Sequence, residues 1–178
     1  VAALVGDDDP ELHDAARRAL QSNPDPAATK HLIDKLQATD DTQRKIGLIN
    51  SLGAREDAAA VDALSKYLGE EDEAVAAATA NALGRIGGTK AADLLAEART
   101  KVDGAQRCRL SDAYLRCADR MVEEGEKAKA AKIYAALDAP EEPRPVQLAA
   151  KQGRLDTADD LAALILRGLG SDDDDARR

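Results

Sequence analysis

The chain has 178 residues, a formal net charge of −9, 44% hydrophobic and 33% charged residues, and only 2% aromatic residues, with three Tyr and neither Phe nor Trp. The acidic balance argues against a general phosphate binder, and the missing Trp and Phe remove the usual base-stacking platforms, so no nucleic-acid partner is expected. No stretch is long, apolar and charge-free enough to span a bilayer. Core volume must come from Ala, Leu, Ile and Val, a composition that favours thin, closely packed helix interfaces over sheets.

The elements follow in chain order. Asp9-Pro10-Glu11-Leu12 opens a helix predicted at about 9–22 that closes on Ala19-Leu20, and Asn23-Pro24-Asp25-Pro26 breaks it. Ala28, His31, Leu32, Lys35 and Leu36 then recur at helical spacing, the period that builds one apolar face. Asp41-Thr42-Gln43-Arg44 opens a helix at about 41–54 ending in Ser51-Leu52-Gly53. Ala59, Val61, Leu64, Tyr67 and Leu68 mark the next, closed by Gly69. Asp72-Glu73-Ala74-Val75 leads through about 72–87 to Gly87-Gly88, and Ala91, Leu94, Leu95 and Ala98 carry another helix toward Gly104. The closing leucines, Leu20, Leu52 and Leu83, stand 32 and 31 residues apart, Leu115 follows after a further 32, and Asn50 and Asn81 share one repeat position. Helix pairs at such a period bury their apolar stripes on one another and stack as a solenoid.

The run Asp72-Glu73-Ala74-Val75-Ala76-Ala77-Ala78-Thr79-Ala80-Asn81-Ala82-Leu83-Gly84-Arg85-Ile86-Gly87 resembles the second helix of a short bacterial HEAT-like repeat, the type also found in phycobilisome lyases. The resemblance covers about residues 1–100 and implies an all-α, right-handed α-α superhelix. Where the family often places Arg, just after the helix's first apolar residue, this chain has His13, Lys45, Ala76 and Cys108. Farther on, Tyr114, Cys117, Ala118, Met121, Gly125, Ala130 and Tyr134 fall at spacings similar to a tetratricopeptide hairpin, with a long HEAT pair as the alternative. The expected organisation is therefore HEAT-like repeats at 1–104, this hairpin or long pair at 105–139, and a terminal HEAT-like pair at 140–170. The terminal pair would hold helices at about 145–153 and 157–168, and a disordered acidic tail would fill 171–178.

Acid runs recur at one place in the repeat: Asp7-Asp8-Asp9, Asp40-Asp41, Glu70-Glu71-Asp72-Glu73 and Glu141-Glu142. A solenoid would set them along one edge as a ridge. Their first role is at helix N-termini, where carboxylates cap orphan N–H groups and offset the helix dipole by about 0.3–1 kcal/mol each. Docking of a basic partner or weak cation binding is the second, although no run has the Asp-x-Asp-x-Asp-Gly order of a calcium loop. His13 and His31, the only histidines, fall on different helices without a zinc-type spacing and are expected at the surface or a core boundary, so no metal site is expected. The serines lack a nucleophile elbow. Cys108 lies between Arg107 and Arg109, a setting that lowers a thiol pKa, but no histidine stands near it in sequence to act as base. Cys108 and Cys117, read as two partly buried thiols, would be roughly 13 Å apart on one helix, too far for a disulfide. No catalytic residue or cofactor is assigned.

Arg109, Asp112, Arg116 and Arg120 share one stripe of the fourth second-type helix. With Lys45, Asn50 and Asn81 on earlier turns they form the expected floor of a concave groove, and the binding residues assigned are Lys45, Asn50, Asn81, Arg109 and Arg116. The expected function is a non-catalytic scaffold that binds a protein or peptide, basic where it meets the acidic edge. The start at Val1 without Met reads as an excised piece, which makes an accessory recognition arm of a larger bacterial multidomain enzyme the alternative. A tetrapyrrole lyase-like subunit, implied by the resemblance, comes behind both.

Overall fold

A computed structural model of the chain describes residues 9–158. Nine α-helices lie among the described residues: α1 (Pro10–Ser22), α2 (Pro26–Ala38), α3 (Thr42–Arg55), α4 (Val61–Ser65), α5 (Glu73–Ile86), α6 (Gly88–Arg99), α7 (Gly104–Glu123), α8 (Lys127–Leu137) and α9 (Arg144–Thr157), with a 3-10 turn at Ala58–Ala60 leading into α4. The result is an all-α superhelix of stacked helix pairs.

Aspartates set where the helices begin. Asp9, Asp25, Asp41, Asp57 and Asp72 stand 16, 16, 16 and 15 residues apart. Each accepts a hydrogen bond from a backbone N–H of the turn it precedes: Glu11 at 2.9 Å, Ala27 at 2.8 Å, Arg44 at 2.8 Å, Ala59 at 2.9 Å and Ala74 at 2.9 Å. A first-turn N–H has no partner inside the helix, and a capping oxygen of this kind stabilises it by about 1 kcal/mol. Part of the acidity read from the sequence is thus spent on helix starts. The Thr29 hydroxyl, ahead of the Ala59 N–H, holds the Asp57 carboxyl below its usual pKa, and the Ala74 and Val75 N–H groups do the same for Asp72.

The helices fall into two layers. In one, α1 packs on α3, α3 on α5, α5 on α7 and α7 on α9, while α2, α4 and α6 form the other and touch one another sparsely. The close layer owes its tightness to missing side chains. A Cβ on Gly53 would lie 2.7 Å from the Ala82 Cα, and one on Gly84 would lie 2.8 Å from the Ala113 carbonyl oxygen. Glycine at these two points lets backbones approach, and in a bent double layer the tighter layer is the inner one. Between the layers Leu32, Leu36, Leu48, Ile49, Leu52, Leu64, Leu83 and Leu95 are fully buried, each contributing about 1.5–3 kcal/mol. Arg55 ties the first pair together from α3: its guanidinium donates to the Leu20 carbonyl at 2.7 Å, to that of Asn23, and to that of Asp25 at 3.1 Å.

Two helix bounds differ from expectation. The helix expected through Leu68 stops at Ser65, whose hydroxyl donates back to the Asp62 carbonyl at 2.9 Å and competes with the helical ladder. The break expected after residue 153 is absent, because α9 runs on to Thr157 with Gly153 pressed against the Tyr134 ring. The second helix expected at about 157–168 falls almost wholly outside the described residues, and the acidic tail at 171–178 lies outside them. The α7–α8 hairpin turns at Gly125 (φ +83°) as expected, with Ala118 and Ala130 fully buried.

Candidate functional site

The residues assigned from the sequence all stand on the inner layer: Lys45 and Asn50 on α3, Asn81 on α5, Arg109 and Arg116 on α7. Asn50 and Asn81 are exposed, as one repeat position carried forward should be. The structure brings Asn81 and Arg116 together, the guanidinium donating to the Asn81 amide oxygen at 3.1 Å and to Asp112 at 2.5 Å. Lys45 lies 3.9 Å from Glu70, and Arg109 lies 3.5 Å from Glu73. Asn50 is not joined to this group. The Arg109–Glu73 and Arg116–Asp112 pairs are exposed, and pairs of this type contribute about 0–1 kcal/mol, so a partner can exchange them at little cost.

Arg120 belongs elsewhere, a correction to its place on the expected groove floor. Its side chain crosses Gly87, where a Cβ would lie 2.6 Å from the Arg120 Cδ, and it reaches Glu56 at the end of α3 at 2.5 Å. It thereby straps the second repeat to the fourth.

A cleft of about 240 Å³ opens beside this polar row, between the first halves of α5 and α7. Its floor is Ala76, Ala77 and Ala80, its apolar walls include Leu68, Val102 and Leu110, and Glu70, Glu73 and Arg109 stand at its rim. The repeat register explains the opening. Positions equivalent to Ala76 hold His13, Lys45 and Cys108; those equivalent to Ala77 hold Asp14, Ile46 and Arg109; those equivalent to Ala80 hold Arg17, Ile49 and Asp112. The third repeat has alanine where its neighbours have bulk. Comparing repeats column by column would have exposed this signal, which periodicity alone does not.

The acidic ridge is interrupted. Asp9, Asp41 and Asp72 cap helices as expected, whereas Asp7 and Asp8 lie outside the described residues. Glu142, expected on the ridge, is buried with its side chain wholly inaccessible. Its Oε1 accepts from Arg99, and from the Arg107 Nε and Nη2 at 3.1 and 2.8 Å. Arg99 in turn lies over the Tyr114 ring at 5.4 Å. Burial alone would raise the Glu142 pKa, but the nearby Ser111 hydroxyl, Arg107 and Arg99 outweigh it and hold it below the usual value. No well-formed hydrogen bond reaches the Ser111 hydroxyl or the Glu142 Oε2 among the described residues. A buried charge must be paired to be tolerated, so this triad fixes the segment before α9 against α6 and α7.

Cys117 is wholly buried, its thiol lies 3.8 Å from the Leu83 carbonyl, and burial pushes its pKa up to about 12. Cys108 is half-buried. His13 is buried rather than at the surface, facing inward from α1, while His31 is exposed. Among the described residues no group of three or more His, Cys, Asp or Glu is placed to hold a metal, and no helix is long and apolar enough to cross a membrane.

Fold and register together define a HEAT-like helical repeat protein. Residues 29–110 match the family model of HEAT repeats. Among solved structures, the chain is similar to the complex of CpcE and CpcF of phycocyanin lyase from Nostoc sp. PCC7120, at 20% identity and a TM-score of 0.61, covering 99% of this chain and 71% of that one. At that identity the likeness is one of fold. No curated protein matches the chain in sequence.

Proposed function

We propose that the chain is a non-catalytic scaffold that binds a protein partner across the inner face formed by α3, α5 and α7. The observation that carries this reading is the polar row on that face. Asn50 and the Asn81–Arg116–Asp112 group stand outward from a layer whose interior is sealed by Ala, Gly and Leu, and that group is held by weak pairs that a partner can exchange. The structural neighbour is titled as a complex of two proteins, which supports a protein partner for this fold without naming it. The same title supports a second reading, a lyase-like subunit; that it would act on a tetrapyrrole is what the resemblance of the repeats implies.

Affinity capture from the source cell, followed by calorimetry on the purified candidate, tests the first reading. A partner that binds the wild type and is lost with Asn81→Arg combined with Arg116→Glu supports it; equal binding by both proteins refutes the face. Mixing the chain with a bilin tests the second, since a stable shift of the bilin absorbance band is required of a lyase-like subunit.

A further inference from the structure

We propose that the α5–α7 cleft receives one aliphatic side chain of a partner polypeptide, and that Glu73 and Glu70 hold a basic residue beside it. This rests on the reading of the inner face as a protein-binding surface and adds the chemistry of the segment bound there.

Three features of the cleft select that occupant. Its size comes first: about 240 Å³ over a floor of Ala76, Ala77 and Ala80 accommodates a branched aliphatic group, and removing apolar surface from water there favours binding. Its charge comes second. Asp72 is committed to capping α5 and accepts from the Thr42 hydroxyl at 3.2 Å. Of the remaining carboxylates of the run, Glu70 meets Lys45 and Glu73 meets Arg109 while Glu71 stands exposed beside them, so the rim carries one carboxylate more than cations and favours a cation. Its latch comes third. Glu73 on α5 and Arg109 on α7 meet 3.5 Å apart with side chains 69% and 50% exposed, a pair weak enough for an arriving Arg or Lys to displace. An acidic peptide meets repulsion at this rim. So does a tetrapyrrole with ionised carboxylate side chains.

The test uses the full chain and fluorescein-labelled decapeptides of Gly and Ser carrying a central Leu flanked by Arg. Anisotropy titrations compare this probe with two others, one with Ala in place of Leu and one with Glu in place of Arg. Each substitution is expected to weaken binding about ten-fold at low salt, with added salt weakening the Arg-dependent part. Ala77→Leu fills the slot from an already half-exposed position and is expected to weaken the parent probe about ten-fold while leaving the circular-dichroism melt unchanged. Should that variant melt early, Ala76→Leu and amide chemical-shift mapping of the wild type supply the same information. Shifts confined to Ala76, Ala77, Ala80 and Arg109 support the proposal. A probe that binds with shifts elsewhere on α3, α5 and α7, indifferent to Ala77→Leu, overturns the cleft but leaves the scaffold reading intact. Absence of binding by any probe also overturns the cleft, and the scaffold reading then stands or falls on the Asn81→Arg with Arg116→Glu experiment.

Discussion

Replacing Glu142 by Gln leaves the shape of the segment before α9 nearly unchanged and removes one buried charge. Its side chain is wholly inaccessible, that of Arg99 is 9% exposed and that of Arg107 is 27% exposed. Arg107 can turn partly to water once its partner is neutral, but Arg99 cannot, since it is closed in over Tyr114. Breaking a buried pair from one side costs about 3–5 kcal/mol because the surviving charge stays buried without compensation. That is a large share of the total stability of about 5–15 kcal/mol typical of a folded domain. Urea unfolding followed by far-ultraviolet circular dichroism measures the loss, and tyrosine fluorescence, to which Tyr114 contributes, reports on the site itself. Arg99→Met alone should also destabilise, whereas Arg99→Met with Glu142→Leu should lose less than the sum of the single changes. A loss below about 1 kcal/mol for Glu142→Gln, or strict additivity in the double variant, would refute the idea that this triad anchors the end of the superhelix.

Acid should unfold the chain through the same carboxylates. Glu142, Asp57 and Asp72 titrate below their usual values of 4.5, 3.8 and 3.8 when folded. The unfolded chain therefore binds more protons, and their stabilisation is complete above about pH 4.5 and lost as pH falls through the depressed folded values. Midpoint against pH should show this limb, shallower in Glu142→Gln. Thiol titration with a disulfide reagent at mildly alkaline pH should find Cys108 reacting in the native state and Cys117 only after denaturation; fast reaction of both would contradict the burial of Cys117. Gly53→Ala forces a Cβ to within 2.7 Å of the Ala82 backbone and should cost about 1–3 kcal/mol by thermal or urea unfolding. Gly69→Ala, which meets nothing within 4 Å, should stay within about 0.5 kcal/mol of wild type.

The elements legible in the sequence are those set by local rules. Asp9, Asp41 and Asp72 announce helix starts because a cap needs only its own first turn, and Leu20, Leu52 and Leu83 announce the stacking because each repeat solves the same packing problem. The repeat column of Asn50 on α3 and Asn81 on α5 was legible too, since the two recur in register and both are exposed. Glu142 was not. Its burial depends on Arg99 and Arg107, 43 and 35 residues earlier, and a glutamate beside Glu141 in a proline-rich break looks like surface. Arg120 was misplaced for a similar reason, its reach toward Glu56 depending on the bare backbone of Gly87. The cleft stayed hidden because three alanines read as good helix formers; only their contrast with His13, Ile46 and Ile49 marks them as missing bulk.

The unequal layers give the molecule a mechanical character. With Gly53 and Gly84 seated against Ala82 and Ala113, the inner layer resists compression, because backbone already meets backbone and no side chain remains to yield. The sparser contacts among α2, α4 and α6, bridged mainly by side-chain ties such as Thr29 to Asp57 and Lys90 to Asp62, leave the outer layer more able to fan apart or draw together. The superhelix should therefore behave like a leaf spring with one stiff leaf, flexing about its inner surface. Spacing along that surface stays constant while overall curvature varies, so a bound segment would keep its grip as the rest of the coil bends.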